Sequence, residues 1–137
     1  MDHRVDGSLK DLKFVGDVKM TKKTSPTVRS LALLRKEGYS AQVTERYNPY
    51  AHVRIDLFGF IDVVAIRADV KGVVGVQTTS QSNASTRYHK ILGIPEAKMW
   101  LEAGNQIIIH GWSKKGKKGK RKLWNANTRE ITLKDFK

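Results

Sequence analysis

The sequence Asp56-Leu-Phe-Gly-Phe-Ile-Asp-Val-Val-Ala-Ile66, followed after a polar turn by Val73-Val-Gly-Val-Gln-Thr-Thr-Ser80, predicts two strands at the centre of one sheet. The longer β-type segment, 55–66, is rich in Ile, Val and Phe, and the turn at 69–72 favours an antiparallel hairpin. Nearly continuous apolar character predicts that helices cover both faces of the pair. Acidic and polar side chains from the two strands are then expected to lie side by side, an arrangement that suits a divalent metal.

The flanking segments predict an α/β fold, with a mixed sheet between helices. Ser25 followed by Pro26 is typical of a helix start, and Glu37-Gly38 of its end. The other elements are expected as a strand at 41–47, helices at 82–92 and 95–103, and strands at 106–110, near 123–124 and at 129–133. Residues 1–24 are predicted to form an N-terminal arm, and residues 25–137 one folded domain.

Composition narrows the class of protein. The 137 residues carry 26 Lys and Arg against 13 Asp and Glu, a formal charge of +13, so a polyanionic partner such as nucleic acid is expected. The absence of cysteine excludes disulfides, a thiolate zinc site and a cysteine nucleophile. No apolar run approaches the roughly 18 residues of a membrane span, and we expect a cytoplasmic protein without membrane contact. The sequence has no GxxxxGK loop, the motif that binds the phosphates of nucleoside triphosphates.

A basic run is the strongest sequence signal for nucleic-acid contact. The run is expected to form the tip of a hairpin whose basic side chains contact a phosphate backbone, and the affinity of such contacts depends strongly on salt. Its basic residues are Lys114, Lys115, Lys117, Lys118, Lys120, Arg121 and Lys122. A solubilising loop is the alternative interpretation. Trp112 and Trp124 flank the run and could stack on exposed bases or belong to the core.

The element order, with Gly59-Phe-Ile-Asp62 and Val76-Gln-Thr-Thr79, resembles the restriction-endonuclease-like superfamily of PD-(D/E)XK nucleases. Within it, the similarity is to the branch of Holliday-junction-resolvase-like and phage nucleases. The resemblance covers about residues 25–111 and implies an αβββαβ core. It also implies a Mg²⁺-dependent endonuclease acting on DNA, with branched DNA as a reasonable substrate and a homodimer as a common assembly. Mn²⁺ is the alternative cofactor.

The resemblance assigns roles residue by residue. Asp62 matches the motif aspartate on the second strand, whereas Gln77 stands where an Asp or Glu is usual and Thr79 where a lysine is usual. Gln77 can still offer a neutral amide oxygen to a metal. Since this substitution removes one negative charge, Glu45 or Asp56 is expected to restore it. We therefore predict a metal site formed by Asp62 and Gln77 with Glu45 or Asp56.

In this superfamily a missing lysine is sometimes replaced from the following helix. Lys90 is the candidate for stabilising the attacking hydroxide or the phosphorane. Arg87, on the same helix face, is the second candidate and is also expected to bind nucleic acid. Strand alternation places Gln77 and Thr79 on one face with Gly75, which predicts space beside them for a phosphate.

Each assignment has a structural alternative. Asp62 could form an internal ion pair, the Gln77 amide could satisfy neighbouring backbone groups, and Thr79 could be an ordinary β-branched strand residue. Asp56 could be a turn residue paired with Arg54, and Lys90 a solvated helix lysine.

Three functions thus stay open. The first is a metal-dependent DNA endonuclease with Asp62, Gln77, Thr79, Glu45 and Lys90 in its catalytic site. The second is a catalytically impaired DNA-binding protein on the nuclease fold, and the third an RNA-binding module.

Overall fold

The central layer of the molecule is a five-stranded mixed sheet. A computed structural model describes residues 24–116 and 122–136. In chain order the sheet strands are β1 (Ser40–Val43), β4 (Val63–Ile66), β5 (Val74–Ser80), β6 (Gln106–Lys115) and β7 (Leu123–Ile131), and they are also adjacent in that order. Strands β5 and β6 run parallel, and the other neighbours are antiparallel. The predicted α/β class with a mixed sheet is confirmed.

Helices cover both faces of the sheet. Helix α1 (Pro26–Lys36) begins as predicted, because the Ser25 side chain accepts a hydrogen bond from the Val28 N–H and proline follows the cap. Leu34 of α1 packs against a first apolar cluster, formed by Val63, Ala65, Val74 and Val76. Helices α2 (Ala84–Leu92) and α3 (Pro95–Glu102) pack against a second cluster, formed by Phe60, Ile61, Ile107, Ile109 and Ile131. The predicted covering of both faces is therefore confirmed.

The prediction of one long strand at 55–66 is wrong. A separate two-stranded antiparallel sheet, β2 (Arg46–Asn48) and β3 (Val53–Ile55), precedes a tight turn, and only 63–66 belong to the main sheet. Phe58 and Gly59 have φ of 55° and 84°, values that end an extended strand. The turn is closed by hydrogen bonds between the backbone groups of Leu57 and Ile61. We call residues 46–55 the β2–β3 hairpin.

Three other expectations also need correction. The strand predicted at 41–47 is divided, since β1 ends at Val43 and β2 begins at Arg46. The strands expected near 123–124 and at 129–133 are one strand, β7, and Leu133 starts a short 3-10 helix (Leu133–Asp135). A further 3-10 helix, Gln81–Asn83, precedes α2.

Some predictions fall on residues that are not described. The arm at 1–24 is outside the described part except for Thr24, and so are Lys117, Lys118, Lys120 and Arg121 of the basic run. Over 24–116 and 122–136, none of the helices has the length and apolar character needed to cross a membrane.

Candidate metal centre

Three carboxylates converge where the β2–β3 hairpin meets the main sheet. Glu45, Asp56 and Asp62 each offer a carboxylate oxygen, and these oxygens all lie within 4.8 Å of one another. Glu45 directly precedes β2 and Asp56 directly follows β3, so the pairing of Arg46 with Ile55 brings the two acids together at the base of the hairpin. Asp62 directly precedes β4. In the described residues this is the one group of three or more potential metal-ligating acids, histidines or cysteines.

The structure also brings Asp62 and Gln77 together. The Gln77 Nε2 donates to Asp62 Oδ2 at 2.6 Å, and the backbone N–H of Thr78 donates to the same oxygen at 2.8 Å. A third donor, the Thr78 hydroxyl, lies at 3.3 Å. Both side chains are buried, with 5% of Asp62 and 1% of Gln77 exposed. One Asp62 oxygen is therefore fixed by β5, which aligns the carboxylate.

The Gln77 amide has an oxygen without a partner. Its Oε1 atom is buried and accepts no hydrogen bond from residues 24–116 and 122–136. Leaving a buried acceptor unsatisfied costs about 1–3 kcal/mol. Amide oxygen and nitrogen exchange places when the group turns about its last bond, so either atom can face Asp62. The unpaired oxygen is suited to coordinate a cation. The alternative, that this amide only satisfies neighbouring backbone groups, does not account for it.

The cluster is short of positive charge. Burial, followed by hydrogen bonding with the neighbouring Asp56 carboxyl, raises the pKa of Asp62 from 3.8 to about 7. The donors from Thr78 and Gln77 act in the opposite direction. Arg54 approaches the cluster, but its Nη1 atom lies 3.9 Å from Glu45 Oε2 and its side chain is 71% exposed. Arg54 thus pairs with Glu45 rather than with Asp56, and a bound cation would supply the missing charge.

Threonines hold the cluster in place, and sequence reasoning missed them. The Thr27 hydroxyl, in the first turn of α1, donates to Glu45 Oε1 at 2.9 Å and contacts Thr78 Oγ1 at 3.1 Å. The Thr44 hydroxyl donates to the Ile61 carbonyl oxygen at 3.0 Å, which ties the end of β1 to the turn before Asp62. Only the Ser25-Pro26 helix start signalled that Thr27 lies in a first turn, and nothing in the sequence placed that turn beside the acids.

Three residues that the sequence predicts for the site do not join the cluster. Within the described part of the chain, no hydrogen bond or ion pair links Lys90, Arg87 or Thr79 to Glu45, Asp56 or Asp62. Lys90 is exposed on the last turn of α2, and Thr79 is buried on β5 opposite Gly111 of β6. Lys90 therefore has the surroundings of a solvated helix lysine.

The predicted space for a phosphate beside Gly75 does not exist. A Cβ atom added to Gly75 would lie 3.1 Å from the Ile61 side chain and 3.3 Å from the Trp100 ring. The glycine permits close packing of α3 on the sheet, because the apolar cluster continues under this part of β5. The cluster meets solvent on the side of Glu45 and Asp56, which are both partly exposed.

The tryptophans beside the basic run are packed residues. Trp112 is buried, and its Nε1 donates to the Ser30 hydroxyl at 2.9 Å; the same hydroxyl lies 2.8 Å from His110 Nδ1. The guanidinium of the buried Arg29 lies 3.5 Å from the centre of the Trp124 ring. These rings belong to the α1 face of the sheet, as the core alternative proposed. Lys114, Lys115 and Lys122 are exposed beside them.

Comparisons with protein-family models, with curated proteins and with solved structures found no match for this chain. The chemistry of the site is therefore inferred from its own residues. Its donors are carboxylate, amide and hydroxyl oxygens, which are the ligands preferred by hard cations such as Mg²⁺ and Mn²⁺. No histidine or cysteine joins the cluster within residues 24–116 and 122–136, and softer metals that favour nitrogen or sulfur gain no advantage there.

Proposed function

We propose that this chain is a metal-dependent endonuclease that hydrolyses phosphodiester bonds in DNA. Mg²⁺, or Mn²⁺ in its place, would be held by Glu45, Asp56 and Asp62, with the Gln77 amide oxygen as a neutral ligand. The observation that carries the proposal is the convergence of three carboxylates beside a buried amide oxygen that has no partner. The formal charge of +13 favours a polyanionic substrate.

The residues around the cluster suit this role. A metal at such a site lowers the pKa of a bound water and neutralises charge on phosphoryl oxygens. Thr27 keeps the Glu45 carboxylate oriented, and the hydrogen bonds from Gln77 and Thr78 to Oδ2 keep the Asp62 carboxylate oriented. Arg54, at the rim of the cluster, offers a cation to an incoming phosphate where the sequence has Thr79 instead of the motif lysine.

The topology supports a nuclease-type core. Helix α1, strands β1, β4 and β5, helix α2 and strand β6 follow the αβββαβ order that the resemblance implies, with the β2–β3 hairpin between its first two strands. Asp62 then stands at the start of the second core strand and Gln77 on the third. This is the placement that the PD-(D/E)XK resemblance expects for its first two metal-binding positions.

A nicking assay tests the proposal. Purified protein with Mg²⁺ or Mn²⁺ is expected to nick plasmid DNA or a four-way junction, and Asp62→Asn is expected to abolish nicking while DNA binding in EDTA is retained. Asp69→Asn is the matched control, because this exposed carboxylate pairs with Arg67 at 2.6 Å outside the cluster. Unchanged nicking by Asp62→Asn would refute the assignment of the site.

A second candidate function is nucleic-acid binding without cleavage on the same fold. It is favoured by Gln77 and Thr79, which stand where the resemblance expects a carboxylate and a lysine. Binding without nicking over a series of divalent metals would select this function. Replacing Lys117, Lys118 and Lys120 by alanine should weaken binding and reduce its salt dependence in both cases.

A further inference from the structure

Within the described part of the chain, the β2–β3 hairpin displays two exposed aromatic side chains. Tyr50 in its turn is 94% exposed and Tyr47 on β2 is 54% exposed. An exposed ring of this size leaves a large apolar area in water, which is typical of a contact surface when several lie together. The hairpin is also basic, since residues 46–55 include Arg46, His52 and Arg54 and no Asp or Glu.

The turn of the hairpin is held in a defined conformation. The Asn48 side chain accepts hydrogen bonds from the backbone N–H groups of Tyr50, at 2.9 Å, and of Ala51, at 3.2 Å. The Tyr47 hydroxyl lies 3.1 Å from His52 Nδ1, across the same turn. Local hydrogen bonds therefore hold the backbone of the turn and the Tyr47 ring in place, so this part of the hairpin needs little ordering when a ligand binds.

One face of the hairpin leads directly to the carboxylates. Tyr47 of β2 is paired with Arg54 of β3, and side chains alternate along each strand. Glu45 and Asp56, two residues from this pair, therefore share its face, as the contact between Arg54 and Glu45 shows. At about 3.3 Å per residue, Tyr47 lies about 7 Å along the strand from Glu45. The face that carries Glu45, Asp56 and the Arg54–Tyr47 pair therefore extends from the carboxylates toward the turn that contains Tyr50.

We propose that this face of the β2–β3 hairpin binds an unpaired segment of nucleic acid, with Tyr50 stacked on a base and Arg54 facing the backbone phosphates. Bases within a duplex are already stacked on both sides, so an aromatic ring can cover a base only where the strand is unpaired. The basic residues of 46–55 and the absence of Asp and Glu there favour a polyanionic ligand over a protein partner with a positively charged surface. The location next to the cleavage site rests on the proposed nuclease function, whereas the binding itself does not require cleavage.

Binding of the full chain in EDTA tests the proposal without any contribution from catalysis. The probes are a single-stranded oligonucleotide carrying 2-aminopurine and the blunt duplex of the same sequence. Tyr50→Ala is expected to weaken single-strand binding about fivefold or more, because stacking contributes roughly 1–3 kcal/mol per base. Duplex affinity should stay unchanged, and so should the salt dependence on the single strand, since no phosphate contact is lost.

Two variants serve as controls. Tyr50→Phe keeps the ring and should bind like the wild type. Met99→Ala removes an exposed apolar side chain from α3, outside the hairpin, and should have no effect. Because the Tyr50 side chain is almost fully exposed, its removal should leave the thermal unfolding temperature unchanged.

Equal single-strand affinity of Tyr50→Ala and wild type would overturn the proposal, and so would an equal loss on single strand and duplex. The two proposals fail separately. A Tyr50 effect in EDTA without nicking in any metal would refute the nuclease and leave the hairpin surface standing. Nicking that is abolished by Asp62→Asn, with no Tyr50 effect, would do the reverse.

Discussion

Replacing Asp62 by asparagine is expected to stabilise the metal-free protein at alkaline pH. The amide oxygen of the introduced asparagine can still accept the hydrogen bonds that Gln77 and Thr78 donate to the aspartate. Its amide nitrogen can donate to the Asp56 carboxylate, which repels an ionised Asp62. The substitution thus removes one buried negative charge and keeps the shape of the side chain.

The magnitude follows from the pKa of Asp62, which folding raises from 3.8 to about 7. A carboxyl with a raised pKa binds its proton more tightly in the folded state, so stability is full below about pH 4 and decreases as pH rises through 7. The corresponding upper bound is about 4 kcal/mol in the free energy of unfolding. Because Asp56 keeps its charge and relaxation recovers part of the cost, we expect the variant to gain about 1–2 kcal/mol at pH 8.

Thermal and urea unfolding at two pH values provide the measurement. In EDTA the gain should appear at pH 8, as an increase of about 3–8 °C in Tm, decrease to about a third of that value at pH 5 and vanish below about pH 4, where Asp62 is protonated in the folded and the unfolded state alike. Excess Mn²⁺ should stabilise the wild type at pH 8 but not the variant, since a ligand stabilises only the state that binds it. Asp69→Asn should give no gain at either pH, because its pairing with Arg67 lowers the pKa of Asp69.

Two results would refute this reasoning. Loss of stability in Asp62→Asn at pH 8 would show that the aspartate is held by a favourable internal ion pair. Equal stabilisation of both proteins by Mn²⁺ would show that the metal binds elsewhere.

Two further substitutions test the neighbouring groups. Gln77→Glu adds a fourth carboxylate to the cluster, so the free energy of unfolding of the metal-free protein at pH 8 should decrease by about 1–3 kcal/mol. Mn²⁺ affinity, measured by calorimetry, should increase about tenfold, because affinity increases with the negative charge of the ligands. A decrease in Mn²⁺ affinity would place Gln77 outside the coordination sphere. Ser30→Ala leaves Trp112 Nε1 and His110 Nδ1 without their shared partner, so the free energy of unfolding in urea should decrease by about 2–3 kcal/mol. A change below about 0.5 kcal/mol would mean that other groups satisfy them.

The sequence predicted the sheet layers well, because their signals are local. The Ser25 cap, the apolar periodicity of 26–36 and the β-branched valines and threonines of 73–79 each define an element without reference to the rest of the chain. Asp62 and Gln77 were placed on neighbouring strands for the same reason. Antiparallel pairing of β4 with β5 then brings these two side chains into contact.

The interruption at 56–62 could not be predicted from composition. Leu57, Phe58, Phe60 and Ile61 are strand-forming residue types, and a single Gly59 within them is compatible with a bulge as well as with a turn. The positive φ values at 58 and 59 depend on how Phe60 and Ile61 enter the core beneath α2 and α3. As a result the sequence offered Glu45 and Asp56 as alternatives, whereas the turn places both beside Asp62.

The basic residue that the structure brings to the cluster, Arg54, could not be predicted for a similar reason. The resemblance implies a substitute lysine on the following helix and so points to Lys90, but spacing along α2 says nothing about the distance of that lysine from the end of β1. Arg54 approaches Glu45 only because β2 and β3 pair, and their three-residue strands are too short for a reliable signal.

The β2–β3 hairpin gives the site a local thermodynamic independence. Its strands hydrogen-bond to each other as a separate sheet, and Glu45 and Asp56 flank them together at the base of the hairpin. Such an element can open while the five-stranded sheet stays intact, and each opening separates two of the three carboxylates. Amide hydrogens of 46–55 should therefore exchange with solvent faster than those of β5 and β6 in the metal-free protein, and Mn²⁺ should slow their exchange selectively. Metal binding to the site and closure of the hairpin would then be thermodynamically coupled.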